Sequence, residues 1–145
     1  MHPQAAKILF DEDVGRWPPD IAAKRAWVVH RVEYPVIDVE FTGPGRTPLR
    51  LRFDAANWDD EPPKIALLNS VGDYLTSAPA TPSSIFNGGP HALTGRPFVC
   101  MAGAWEYHRH ESHLNTPWDQ YRGKANYGLS DILTQIWNGW RKGTG

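Results

Sequence analysis

A single cysteine, Cys100, stands in a chain of 145 residues. One thiol cannot close an internal disulfide, so the sequence fits a reducing compartment or a thiol kept for its chemistry. Long apolar runs are also missing, and no stretch approaches the roughly 18 residues that a membrane-spanning helix requires. Met1 to Lys7 shows no basic region followed by an apolar stretch, so no secretory signal is expected. An excess of either charge is missing: the formal net charge is -1, which argues against electrostatic binding to nucleic acid or a membrane. There is no internal repeat and no low-complexity segment. The expectation from these absences is a soluble cytoplasmic protein, folded as a single domain over residues 1–145.

Proline and glycine are plentiful, at 13 each, beside seven tryptophans. That balance predicts long ordered loops around an aromatic core. Residues 3 to 25 read as a helical region, broken at Pro18-Pro19 and able to resume with Asp20 as a cap. Trp27 to Tyr34 is rich in branched and aromatic residues and reads as a strand. Val36 to Phe41 alternates with period two, and Leu49 to Asp54 does so cleanly, with Leu49, Leu51 and Phe53 on one face. Lys64 to Asn69 is a fourth short strand. Residues 70 to 99 show little regular pattern and read as loop, a length that is usually functional or mobile. Leu129, Ile132, Leu133, Ile136, Trp137 and Trp140 recur at helical spacing, and Gly143 ends that pattern. The fold class predicted is α+β: N-terminal helix, four-stranded antiparallel meander, irregular active segment, C-terminal helix.

Chemically capable side chains concentrate between residues 95 and 118, where Cys100 is followed by Glu106, His108, His110 and His113. Two chemistries fit that cluster. In the first, Cys100 is a nucleophile that carries an acyl group as a thioester. In the second, Cys100, Glu106, His108, His110 and His113 supply the ligands of a metal ion such as zinc. A strand through this stretch places Cys100, Glu106, His108 and His110 on one side, whereas a helix aligns Glu106, His110 and His113. Both arrangements bring Glu106 and His110 together, so these two are the expected proton-handling pair. Trp118 is expected in the core, and Asp119 either assists an incoming amine or caps a helix.

The order of elements resembles the ubiquitin-conjugating enzyme fold. The strand Leu49 to Asp54, the Pro62-Pro63 pair and the strand after it are similar to that family's third and fourth strands. His91, Gly95 and Cys100 resemble its histidine, glycine and catalytic cysteine series. Trp118 and the Leu129 to Ile136 helix resemble the family's tryptophan and the helix after it. The similarity covers roughly residues 20 to 141. The family's His-Pro-Asn is absent, so its oxyanion-supporting asparagine has only Asn87 and His91 as nearby candidates.

That resemblance implies an acyl carrier. An activating-type enzyme passes a ubiquitin-like protein to Cys100, and a target protein's nucleophile takes it, with Glu106, His110 and Asp119 handling protons and His91 or a backbone amide holding the oxyanion. No cofactor is required in this reading. A bacterial Cys-Glu-His-His family, thought to bind metal and found beside ubiquitin-like operons, is similar too. It implies the alternative of a zinc-binding accessory protein. A non-catalytic adaptor of the same fold is the third expectation.

Overall fold

Alternating and helical patterns in the sequence become elements almost residue for residue in the computed structural model, which describes residues 1–143. The last two residues of the predicted domain lie outside the described residues. Helix α1 runs Pro3–Gly15 and a single turn, α2, follows at Ile21–Lys24. The break between them falls at Pro18-Pro19, as proline's missing donor requires. Asp20 occupies the cap position of α2 but makes no capping hydrogen bond. Strands β1 (Trp27–Glu33), β2 (Val36–Phe41), β3 (Leu49–Asp54) and β4 (Lys64–Leu68) form one antiparallel sheet in sequence order. Two-residue strands β5 (Phe86–Asn87) and β6 (Phe98–Val99) pair separately. A single turn, α3 (Trp105–His108), precedes two 3-10 turns at Glu111–His113 and Trp118–Gln120, and α4 (Leu129–Arg141) closes the chain. The layout is therefore α+β, with α4 and Phe10 of α1 packed on one face of the meander.

The inner face of the sheet is built by parity. Leu49, Leu51 and Phe53 of β3 oppose Phe41, Val39 and Ile37 of β2 and, across β4, Leu51 and Phe53 oppose Leu67 and Ile65. All eight are buried. Onto them packs the apolar stripe of α4, where Leu129, Ile132, Leu133 and Ile136 have no exposed surface. Each such side chain contributes about 1.5–3 kcal/mol of burial. Trp118 is also buried, and its Nε1 donates to the Asp59 carbonyl at 2.8 Å.

The outer face is polar rather than wet at its centre. Asp38 and Glu40 of β2 are buried beneath their partners. Asp38 accepts from Arg50 Nε and Nη2, both at 2.8 Å, and from Arg52 Nε at 3.3 Å. Burial pushes its carboxyl up, but the bonds and charges of the two arginines outweigh that and hold it below the usual range. Glu40 accepts from Ser70 Oγ at 2.6 Å and pairs with His30 Nε2 at 3.0 Å.

Helix α4 is anchored at both ends from a distance. The Asp13 carboxylate accepts the Leu129 N–H at 3.2 and 3.3 Å and Trp17 Nε1 at 3.0 Å. At the other end, Arg46 donates to the carbonyls of Trp140, Arg141 and Gly143. These anchors join α1 and the β2–β3 turn to α4, and so fix the floor beneath the irregular segment. No helix among the described residues is long and apolar enough to cross a membrane.

Candidate functional site

Cys100 follows β6 directly and is half-buried. Its position is set by backbone pairing: Phe86 faces Val99, Asn87 faces Phe98, and the Cys100 N–H donates to the Ile85 carbonyl at 2.6 Å. This small ladder lies inside the stretch expected to be structureless. Pairs of two residues carry no periodicity to detect, and only the aromatic Phe86 and the Phe98-Val99 pair hint at them.

The sulfur has two polar neighbours. His113 Nε2 lies 3.7 Å from Cys100 Sγ. The Asn87 side chain is close enough to pull the thiol pKa down, while its Oδ1 accepts the Gly89 N–H at 2.8 Å. Burial pushes the Cys100 thiol up and Asn87 pulls it down; burial wins, so the resting group at neutral pH is the thiol. His113 is oriented by Tyr107, whose ring is stacked on it with centroids 4.1 Å apart and planes at 19°. A thiol facing an imidazole nitrogen can lose its proton to it when an electrophile arrives. Asn87 supplies a donor beside the same sulfur, where an oxyanion would form on a thioester carbonyl.

The other predicted site residues are placed elsewhere. Glu106 is 4% exposed, and both its carboxylate oxygens accept from the single Ile65 N–H, at 3.0 and 3.3 Å. Burial pushes its carboxyl up to about 7, opposed by its backbone bonds and by the charge of Lys64. His110 turns Nδ1 onto Ser112, at 2.6 Å from the hydroxyl, and stacks its ring on Phe98 at 5.6 Å between centroids. The expected Glu106–His110 pair is therefore not formed. The physical reason is local geometry: the chain between Cys100 and His113 is neither one strand nor one helix but a turn, α3 and a 3-10 turn, so no single period applies.

His91 and His108 are framework residues. His91 is 2% exposed, its Nδ1 accepts the Leu93 N–H at 3.0 Å, and its Nε2 donates to the Glu106 carbonyl at 2.8 Å. It is not available to hold an oxyanion. The turn that delivers it depends on Gly89, whose φ is +62° and where an added Cβ would lie 2.6 Å from the His91 nitrogen. His108 is also buried; its Nε2 accepts the Gly103 N–H at 3.1 Å and its Nδ1 donates to the Thr116 carbonyl at 2.8 Å. Burial pushes its pKa down, so it is a neutral imidazole with both nitrogens engaged. Asp119 is exposed on the Trp118–Gln120 turn, whose cap is Pro117.

This placement engages several of the side chains that the metal reading needs. Glu106 gives its carboxylate to a backbone amide, and His108 has no free lone pair. Among the described residues no three His, Cys, Asp or Glu side chains converge as a ligand set. The five residues expected from the sequence do not fit a zinc ion together. What remains is the pair Cys100–His113 with Asn87. The sequence suggests His113 only as a ligand and Asn87 only as a nearby candidate; no spacing rule joins either to Cys100.

Comparison with known proteins falls on this part of the chain. Residues 89–143 match the model of the Y4jH-like family, the Y4jH family. Over 46 residues the chain is 41% identical to the uncharacterized protein y4jH of Sinorhizobium fredii (strain NBRC 101917 / NGR234), a stretch that makes up 32% of this chain and 22% of that relative. The similarity thus spans about a fifth of the relative's length. The family match takes in His91, Cys100, Glu106, all three histidines of the 108–113 segment and α4.

Proposed function

We propose that this chain is an acyl carrier of the ubiquitin-conjugating type, working in the cytoplasm on Cys100. The observation that carries the reading is the half-buried thiol with His113 Nε2 at 3.7 Å; the Asn87 side chain, which pulls the thiol pKa down, supports it. The order helix, meander, irregular segment, cysteine and C-terminal helix supports it. In the loading step, the Cys100 sulfur attacks the thioester carbonyl that joins a ubiquitin-like protein to an activating-type enzyme. The new C–S bond forms, the enzyme's C–S bond breaks, and the Cys100 proton passes through His113 to the departing thiolate. In the transfer step a nucleophile on the target protein attacks the same carbonyl and Cys100 leaves as thiolate. His113 accepts the proton of the incoming group and returns one to the sulfur. Asn87 donates to the oxyanion in both steps.

The test is to incubate the protein with a cognate activating-type enzyme, ATP and a ubiquitin-like protein. A thiol-sensitive adduct on a non-reducing gel is expected, lost in Cys100→Ala. No adduct with the wild type, or an unchanged adduct in the variant, sinks the proposal. A Cys100→Ala cell with no change in phenotype supports the non-catalytic adaptor instead.

A further inference from the structure

Strand β4 is the edge of the sheet, and its free edge is only partly covered. The odd residues of β4 turn their backbone groups away from β3. The Ile65 N–H is taken by the Glu106 carboxylate, and the Leu67 carbonyl accepts the Leu75 N–H at 2.9 Å. Between these two bonds the Ile65 carbonyl and the Leu67 N–H have no partner among the described residues. They open onto a groove of about 430 Å³, whose far wall is the Arg96 to Phe98 segment that leads to Cys100.

The groove is charged on one side of the balance. Arg52, Lys64 and Arg96 line it, against Asp54 and the buried Glu106. Arg52 shares Asp38 with Arg50. Lys64 and Arg96 make no salt bridge among the described residues. Each instead holds its charge over an aromatic face of the groove: Lys64 over Trp105 at 5.1 Å and Arg96 over Tyr74 at 3.6 Å. Cation–ring contacts orient the cations without neutralising them. Tyr74 and Leu93 add exposed apolar surface at the rim, at 46% and 64% exposure.

We infer that this groove binds a short extended peptide with acidic side chains, which adds to the edge of β4. One peptide residue, by donating to the Ile65 carbonyl and accepting from the Leu67 N–H, satisfies both free groups. That pattern is a parallel pairing, so the peptide runs in the same direction as β4. Glu106 at one end and the Tyr74 turn at the other limit the paired segment to about three residues, by the strand rise of about 3.3 Å per residue. The side chains flanking the paired residue reach Lys64 and Arg96, which selects acidic groups. The site is independent of any acyl chemistry at Cys100.

The probe is an acetylated, amidated hexapeptide of alternating Glu and Val, titrated into ¹⁵N-labelled protein and followed by NMR. The largest amide shift is expected at Leu67. Methylating the nitrogen of the central peptide residue should weaken binding roughly fivefold or more by removing one backbone bond. Because that change is in the probe, the protein's fold is untouched. Lys64→Ala with Arg96→Ala should weaken it about three- to tenfold, and Cys100→Ala should leave it unchanged. An unmoved Leu67 amide overturns the inference. So does an equal response to the Lys and Val hexapeptide, or a stronger response at Leu67 to hexathymidylate.

Discussion

Replacing Glu106 by Gln should make the protein less sensitive to alkaline pH. Glu106 is buried, receives one backbone N–H on two oxygens, and is pushed from the ordinary 4.5 to about 7. In the folded state it therefore keeps a proton, between those pH values, that the unfolded chain has lost. Its stabilising contribution is complete below pH 4.5 and is lost as pH rises through about 7. Integrated from about pH 5 to about pH 8, the loss is roughly 2–3 kcal/mol. Gln keeps the acceptor for Ile65 and does not titrate. Whatever packing cost the amide brings is the same at every pH, so it cancels when the two differences are subtracted. The measurement is urea unfolding of both proteins at about pH 5, 6, 7 and 8. The wild type should lose roughly 2–3 kcal/mol more than Glu106→Gln across that range. Parallel pH profiles would refute the reasoning, and so would a variant that loses more on the alkaline side.

Two further perturbations separate chemistry from framework. His113→Asn removes the imidazole beside Cys100 Sγ, and should slow alkylation of the thiol by iodoacetamide near pH 7 by about a hundredfold, the low end of general-base effects; an unchanged rate–pH profile would show that His113 takes no proton from the sulfur. Asp13→Ala leaves the α4 N-terminus without its distant cap, and thermal or urea unfolding should show a loss of about 1–2 kcal/mol, whereas a loss within error would mean that water replaces the carboxylate.

Elements with a repeating pattern were legible, because a period reports which face is buried. Leu49, Leu51 and Phe53 declare the inner face of β3 by alternation alone, and the stripe from Leu129 to Trp140 declares α4. The bounds of β1 to β3 match the expected ones within a residue or so. What could not be read is contact between segments with no shared period. The bond from Asp13 to Leu129 spans 116 positions, and that from Glu106 to Ile65 spans 41. Both are acidic side chains on backbone donors, and composition cannot distinguish them from solvated or catalytic carboxylates. The Cys100–His113 contact is hidden for a related reason. Parity across residues 100 to 113 misleads, because the chain reverses direction at Gly103, whose φ is +101°, so residues of unlike parity meet.

The histidines and the carboxylate of the focal stretch divide by whether their polar atoms are already engaged. His91 has both ring nitrogens bonded, one to the Leu93 amide and one to the Glu106 carbonyl. His108 has both bonded, to Gly103 and Thr116. Glu106 is bonded to Ile65. Each of these three ties a loop to its neighbour, and together they hold α3 against β4 and the turn before β6. A side chain used in this way cannot also ligate a metal or move a proton without breaking the loop that it fixes. His113 differs because its side chain meets the sulfur, with its ring position set by stacking on Tyr107 rather than by hydrogen bonds. That freedom is what a proton acceptor needs and what a framework histidine lacks. The density of titratable groups in the sequence therefore reflects the difficulty of bracing an irregular segment, and His113 is the histidine that the bracing leaves facing the thiol.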